Sequence, residues 1–217
     1  MNVLLLGGTG RTGKLIVKQL LDQGHTVHLI VRDKAKVNIA HASLTVFEGL
    51  TLDDNLLKEA LHGCQAVVSA LNISRKSEFP WSALRTPKTL MSDTISKIIA
   101  IAPQFDLRRV IVLSAWGTSD TRKDIPLWFK WLIENSNIKY GYMDHERQEH
   151  LLMQSGLQWT AIRPAALINS AAKKPVVVSL SNNQKLSLLI SRAAVANFTV
   201  DILEQGKFIC EAPAISW

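Results

Sequence analysis

The chain has 217 residues, 47% of them hydrophobic and 20% charged, with a net charge of +7, which is ordinary for a globular domain able to bury about 70% of its unfolded surface. Its Lys and Arg are scattered with no basic stripe interleaved with aromatics, no apolar run nears the ~20 residues of a membrane span, and its six histidines form no HxxxH-type pair. These absences argue against nucleic acid, membrane and metal as partners; Cys64 and Cys210, far apart and outside any CxxC pattern, fit a reducing cytoplasm.

Met1 runs directly into Asn2-Val3-Leu4-Leu5-Leu6, an uncharged stretch that predicts a buried parallel strand and no signal peptide. Gly7-Gly8-Thr9-Gly10-Arg11-Thr12-Gly13 then turns into a helical pattern through Leu15, Ile16, Leu20 and Leu21. Glycine there admits backbone angles closed to other residues and lets the main chain approach a pyrophosphate, while the helix N-terminus directs its amides at the anion. Glycine turns also serve plain packing, so context matters. Gly24 closes the helix, and His25–Val31 predicts a second strand ending at Arg32. The residue past that strand reaches the adenosine ribose in dinucleotide sites, and an arginine suits a 2′-phosphate. Arg32 stands about 20 positions beyond Gly13, the expected spacing, which favours NADP(H) over NAD(H).

Leu44–Phe47 reads as strand three, and Asp53 or Asp54 caps a helix through Leu61 that Gly63 stops. Ala66–Leu71 reads as strand four, followed by a polar loop over residues 72–86 at the end of the sheet where open α/β folds bind ligands. Within it, Phe79 and Trp81 either cover a bound ring or pack on the domain. Pro87 opens a helix to about Ala102, and Arg108–Leu113 is strand five. Residues 125–135 form an amphipathic helix whose aromatics suit a core, a substrate wall or an oligomer face. A helix from Gly141 to Gln154 leads into strand six, Gln158–Arg163, stopped by Pro164. Val176–Leu180 and Phe208–Glu211 are weaker strands flanking a helix from Arg192 to Leu203. The alternation predicts an α/β fold: one doubly wound Rossmann-type domain over 1–217, a parallel sheet with helices on both faces.

These stretches together resemble the atypical short-chain dehydrogenase/reductases, the NAD(P)-binding group that includes NmrA-like proteins and biliverdin-IXβ/flavin reductases. The resemblance rests on the glycine segment 7–13, Val31-Arg32-Asp33, the segment 63–70, Val112-Leu113-Ser114-Ala115, the segment 155–164, and Ile190-Ser191-Arg192. Thr86-Pro87…Met91-Ser92 and Asp144-His145-Glu146-Arg147 are most similar to the flavin/biliverdin-IXβ branch. The resemblance implies that Gly7, Thr9, Gly10, Arg11, Thr12 and Gly13 hold the pyrophosphate and 2′-phosphate side, with Arg32 beside the adenosine. Ala70, Leu71 and Asn72 would line the middle of the cofactor, Ser114 and Ala115 would lie near the nicotinamide, and Arg163, Pro164 and Ala165 would flank its carboxamide.

Two departures bear on the chemistry. Gly49-Leu50 stands where relatives often carry Gly-Asp, removing an acceptor for adenine. The Tyr-x-x-x-Lys pair of ordinary short-chain dehydrogenases is also missing: Asp144 follows Tyr140 by four positions and Glu146 follows Tyr142. Without a lysine to lower the phenol's pKa, alcohol oxidation by that route is disfavoured. Hydride transfer to a planar flavin-like or tetrapyrrole acceptor asks less of the protein. Ser114 and His145 are the candidate catalytic residues, the first as a polar contact by the nicotinamide, the second as a proton donor near pH 7. His145 also lies four positions from Glu149, so the pair could instead brace the helix. The competing reading is an NmrA-type cofactor sensor that binds a protein partner without turnover; a sugar-nucleotide isomerase ranks third.

Overall fold

The computed structural model describes residues 1–181 and 183–217. Its sheet is built outward from β1 (Asn2–Leu6), where Val3, Leu4, Leu5 and Leu6 are fully buried. A strand sends successive side chains to opposite faces, so Val3 and Leu5 join one core and Leu4 and Leu6 the other. Each such side chain stabilises the fold by roughly 1.5–3 kcal/mol. The first core is closed by α1 (Arg11–Asp22) and α6 (Arg192–Gln205), the second by α2 (Asp54–Leu61), α3 (Leu90–Ile101) and α5 (Lys139–Met153).

The remaining strands are β2 (Thr26–Val31), β3 (Leu44–Glu48), β4 (Ala66–Ser69), β5 (Arg109–Leu113), β6 (Gln158–Pro164), β8 (Val177–Ser179) and β10 (Ala214–Ser216). They order as β3-β2-β1-β4-β5-β6-β10-β8, all parallel except β8, which runs antiparallel to β10. The chain therefore winds outward from β1 in both directions, and the point of reversal lies between β1 and β4. Short strands β7 (Ala166–Ile168) and β9 (Leu189–Ser191) pair separately in parallel. The helix α4 (Leu127–Glu134) completes the order.

Local chemistry sets several boundaries. Asp53 caps α2, accepting from the amides of Asn55 at 2.9 Å and Leu56 at 3.2 Å, and Ser191 caps α6 by accepting from Ala194 at 3.0 Å. The helix expected from Pro87 begins at Leu90 instead. Its start is set from another helix: the fully buried Asp144 on α5 accepts from the amides of Met91 (2.8 Å) and Ser92 (3.3 Å) and from the Ser92 hydroxyl.

Two expectations are corrected. Phe208–Glu211 is not a strand, because Phe208 and Cys210 sit at φ 56° and 58°, the left-handed region that interrupts extended chain. The segment still touches β6, with the Cys210 amide donating to the Trp159 carbonyl at 2.7 Å, but the sheet resumes only at β10. Residues 72–86 are also an ordered hairpin rather than an open loop. Lys76 donates to Ala83 and Arg85 to Ser74 across an antiparallel bridge between Arg75 and Leu84. Its tip is pinned to the α4–α5 junction by the Trp81 indole on the Asn135 carbonyl (2.7 Å) and the Asn137 amide on the Pro80 carbonyl (3.0 Å). Among the described residues, no helix is long and apolar enough to cross a membrane.

Candidate functional site

The glycine turn between β1 and α1 lies at the reversal point of the sheet, where open α/β folds bind ligands. Gly7 takes φ +76°, and a Cβ there would stand 2.7 Å from the Ala70 carbonyl group. A Cβ on Gly13 would stand 2.2 Å from the Gly7 oxygen. Gly7 thus lets the turn press against the end of β4, and Gly13 lets α1 close on the turn itself. Packing accounts for these two, but not for the start of α1. Gly10 caps the helix without a side-chain hydrogen bond, and no acidic residue occupies its first turn. The amides of Arg11, Thr12 and Gly13, which have no carbonyl one turn back, remain available to an anion. That cradle fits a dinucleotide pyrophosphate.

Around it stand two arginines of the expected set. Arg32 is exposed immediately past β2, and Asp33 beside it is turned away into its own cap, accepting from the Ala35 amide at 3.0 Å. Arg11 is exposed and ion-paired with Glu78 of the hairpin at 2.5 Å. A contact this exposed is easily exchanged for another anion.

From Ala70 the chain continues through Leu71 to Asn72, which enters the wall of a cavity of about 390 Å³ at the carboxyl ends of β4, β5 and β6. Asn72, Ser114, Ala115, His145, Pro164 and Ala165 all line it, so the fold gathers six of the expected residues into one wall. Trp128 and Phe129, from the segment whose aromatics suited a core, a substrate wall or an oligomer face, line it as well, and the remaining lining was not expected at a site: Ile73 and Arg75 of the hairpin, Trp116 after β5, Ile138, Gly141 and Tyr142 around the start of α5, Ala166 and Leu167 of β7, Leu188 and Leu189 at β9, and Arg192. Phe79 and Trp81 do not line it; they meet each other at a tilt of 46° with centroids 5.2 Å apart. The helix at 125–135 supplies Trp128 and Phe129 to the wall and buries Ile133, leaving Trp131 exposed.

Beneath the cavity lies a buried ionic cluster. Glu149, 1% exposed, accepts from Arg163 at both oxygens, from Nε at 3.1 Å and Nη2 at 2.7 Å. Arg163 also donates to Asp120 at 2.6 Å. Burial works to lower the pKa of Arg163, yet Glu149 and Asp120 outweigh it and hold the guanidinium above its ordinary value. The Arg163 side chain is therefore committed inside the protein, which corrects its expected place beside a carboxamide; Pro164 and Ala165 alone of that trio reach the cavity.

Ser114 donates its hydroxyl to Glu149 at 2.5 Å. The fork from Arg163 makes the carboxylate an acceptor only, so the shared hydrogen belongs to the serine. Ser114 thus presents a lone pair rather than a proton to the cavity. It suits an amide N–H donor.

His145 is corrected too. Its expected partner, Glu149, is taken by Arg163 and Ser114, and the imidazole meets Gln148 instead. The Gln148 amide nitrogen lies 3.2 Å from the Leu113 carbonyl and 2.8 Å from His145 Nδ1. A carbonyl only accepts, so that amide group is the donor, Nδ1 is an acceptor, and the ring hydrogen sits on Nε2. Burial pushes the imidazole pKa down to about 4, the Glu149 charge opposing only in part. At neutral pH His145 is an uncharged Nε2–H donor and not a general acid. Tyr142 donates to the Trp116 carbonyl at 3.3 Å, and burial pushes its phenol further up from 10.0.

A strand–glycine turn–helix cradle beside an apolar cavity, at the switch point of a parallel sheet, defines a dinucleotide-binding α/β protein. The NAD(P)H-binding family model matches residues 7–206, and the chain belongs to that family. It is 28% identical over 183 residues to oxidoreductase stcQ of Emericella nidulans, covering 78% of this chain and 66% of that protein. The chain spans between about half and two thirds of the length of two curated fungal oxidoreductases it matches. A short-chain dehydrogenase/reductase from Veillonella parvula, solved in complex with NADP, shares the fold with a TM-score of 0.80 at 20% identity, covering 100% of this chain and 94% of that one. ChuY of Escherichia coli O157:H7, an anaerobillin reductase, superposes with a TM-score of 0.80 at 16% identity, covering 100% and 97%. Among the described residues, no cluster of three or more His, Cys, Asp or Glu is placed to hold a metal ion.

Proposed function

We propose that the protein is an NADPH-dependent reductase of a planar, flavin-like or tetrapyrrole-like acceptor. The observation that carries this reading is the composition of the cavity: aromatic and aliphatic walls beside the glycine turn, with no side chain that titrates near neutrality toward a reacting atom. Its volume of about 390 Å³ falls within the range of small-ligand sites. The turn from Gly7 to Gly13 holds the pyrophosphate, Arg32 meets the 2′-phosphate, and Ala70, Leu71 and Asn72 line the centre. Ser114 accepts from the carboxamide, with Ala115, Pro164 and Ala165 completing that end. NADPH, when bound, supplies the hydride.

The protein's own part is to orient and to exclude. Trp128, Phe129 and Trp116 offer faces on which a conjugated ring stacks. The neutral His145 Nε2–H can donate to a carbonyl or ring nitrogen of the acceptor without giving up its proton. The proton that accompanies the hydride comes from solvent water at the cavity mouth, as neither Tyr142 nor His145 ionises near pH 7. The names of the relatives, an oxidoreductase and an anaerobillin reductase, support the same class.

The cofactor-sensor reading has one observation of its own. Leu127, Trp128 and Trp131 are 83%, 61% and 60% exposed along α4, an apolar face suited to a protein partner. The two readings separate in one experiment: NADPH consumption with FMN, riboflavin and biliverdin offered in turn, beside NADPH titration without acceptor. Saturable turnover with any of them supports the reductase. Tight NADPH binding without turnover on all three refutes it in favour of the sensor.

A further inference from the structure

Three segments far apart in the chain meet at the cavity: the hairpin through Ile73 and Arg75, α4 through Trp128 and Phe129, and the stretch from β7 to β9 through Leu188 and Leu189. Trp128, Leu188 and Leu189 both line the cavity and are exposed, so they mark its mouth. Leu127, Trp128 and Trp131 follow one face of α4, three and four positions apart. The next position of that stripe is Asn135, whose carbonyl holds the Trp81 indole, so the exposed Trp81 and Phe79 extend it onto the hairpin. Charge gathers on the same segments. Residues 72–88, 120–140 and 169–189 carry eleven Lys and Arg against four Asp and Glu, a balance of +7 that equals the net charge of the whole chain, and the rest of the chain is neutral in sum. These cations are scattered along the sequence, and folding brings them together. Three of the four acids are already matched, Glu78 by Arg11, Asp120 by the buried Arg163 and Glu134 by Arg122. Of the cations, Arg122 is taken by Glu134, and Arg75 is turned inward with its Nε buried and without a hydrogen-bond partner. The remaining nine, eight of them lysines, belong to no ion pair among the described residues.

We propose that this face seats on an anionic lipid bilayer, its Trp and Leu side chains entering the headgroup layer and its lysines meeting lipid phosphates. The lack of an apolar run long enough to span excludes a transmembrane helix and says nothing against a surface contact. A basic, tryptophan-bearing face suits two kinds of macromolecular partner, and lysine separates them. Protein interfaces favour arginine and are depleted of lysine, whose mobile stem is costly to fix. At a bilayer the same stem lies along apolar surface while the ammonium reaches the headgroups, and tryptophan is favoured at that depth. Each lysine near an anionic surface strengthens binding about five-fold, so a few of the nine cations suffice beside two or three inserted side chains. Because Trp128 belongs to both the face and the cavity wall, the cavity mouth opens at the lipid surface. The bilayer replaces the protein partner that the sensor reading places on α4, and it holds that face whether or not the protein turns over.

Flotation of the whole protein with vesicles tests this, comparing phosphatidylcholine alone with phosphatidylcholine that contains phosphatidylglycerol. Binding to the anionic vesicles should be about ten-fold tighter or more, and raising the salt should narrow the gap. Brominated acyl chains in those vesicles should quench tryptophan emission, since rings seated at the headgroup boundary lie within their reach. Leu127→Ser with Trp131→Ala removes two exposed side chains that do not line the cavity. It should weaken binding to anionic vesicles about ten-fold while Tm and NADP+ affinity stay at wild-type values. Lys76→Glu with Lys130→Glu should bring binding to the two vesicle types close to equal. Equal binding to both types by the wild type overturns the membrane contact. Binding to neither overturns it too, and leaves the face to a protein partner. So does binding to anionic vesicles that the Leu127→Ser/Trp131→Ala variant keeps in full, which marks adsorption by charge alone. Sedimentation without lipid covers the last occupant: a dimer that the same variant dissolves gives the face to a second copy and overturns the contact. Vesicle binding is measured without any acceptor, so its failure leaves the reductase reading standing, and absence of turnover leaves the membrane contact standing.

Discussion

Glu149→Gln keeps the size of the side chain and removes its charge. In the wild type, Glu149 and Arg163 are 1% and 3% exposed at their side chains and form a forked pair, so the substitution strands a buried guanidinium. Only Asp120, 57% exposed, remains to balance it. The glutamine must also turn an NH₂ toward a donor, either Arg163 or one of the hydroxyls of Ser114, Thr118 and Ser119 that now point at the carboxylate. Breaking a buried pair this way costs about 3–5 kcal/mol, and the surviving Asp120 contact puts this case near the lower end, about 3 kcal/mol. Against a total stability of about 5–15 kcal/mol the loss is large, and for a chain of this size it lowers Tm by roughly 6–12 °C. Thermal and urea unfolding of the apo protein measure it directly. Adding Arg163→Met should recover most of the loss, because the stranded charge is then gone. A Tm within about 2 °C of wild type for Glu149→Gln, or a double variant no better than the single one, would refute the argument.

Arg32→Asp should weaken NADPH binding by about ten-fold or more while changing NADH far less, since only the former carries the 2′-phosphate; equal losses in paired titrations remove the role given to Arg32. His145 predicts an acid-sensitive fold. Its folded-state pKa of about 4 lies below the unfolded value near 6.5, so in that window the unfolded chain binds the extra proton. Stability tied to this site is complete above pH 6.5 and falls as pH drops toward 4, by up to roughly 3 kcal/mol. Tm followed from pH 7 to about 4 should fall less steeply in His145→Gln than in the wild type, and parallel curves would contradict the buried neutral imidazole. The pH profile of any turnover should likewise lack an inflection near 6.5 from this residue.

Much of the architecture was legible along the chain because its causes are local. The charge-free run Asn2–Leu6, the glycine turn, the Asp53 cap and the alternation of strand and helix each depend on residues a few positions apart, and a period of two or 3.6 can be read without knowing what packs on what. The failures have the opposite cause: nothing local marks Phe208 and Cys210 as left-handed, or Ala214–Ser216 as the strand that extends the sheet, because a three-residue strand is made by its neighbours. The cavity wall was legible in part, since residues just past strands four, five and six fall together in any parallel sheet. Its chemistry was not. Whether Glu149 braces His145 or pairs with Arg163 turns on which of two side chains reaches it once α5 packs beside β6. The helical spacing of four positions favoured the histidine, and a contact spanning fourteen positions won because both partners are buried there and a buried charge must be matched. Asp144, read as part of a motif, turned out to cap a helix that begins 54 positions earlier, at Leu90. The tautomer of His145 follows from a carbonyl on β5, and the unmet Nε of Arg75 follows from a hairpin folding over the cavity. Charge state, hydrogen-bond direction and burial belong to the surroundings of a side chain, and those surroundings exist only after the distant segments have met.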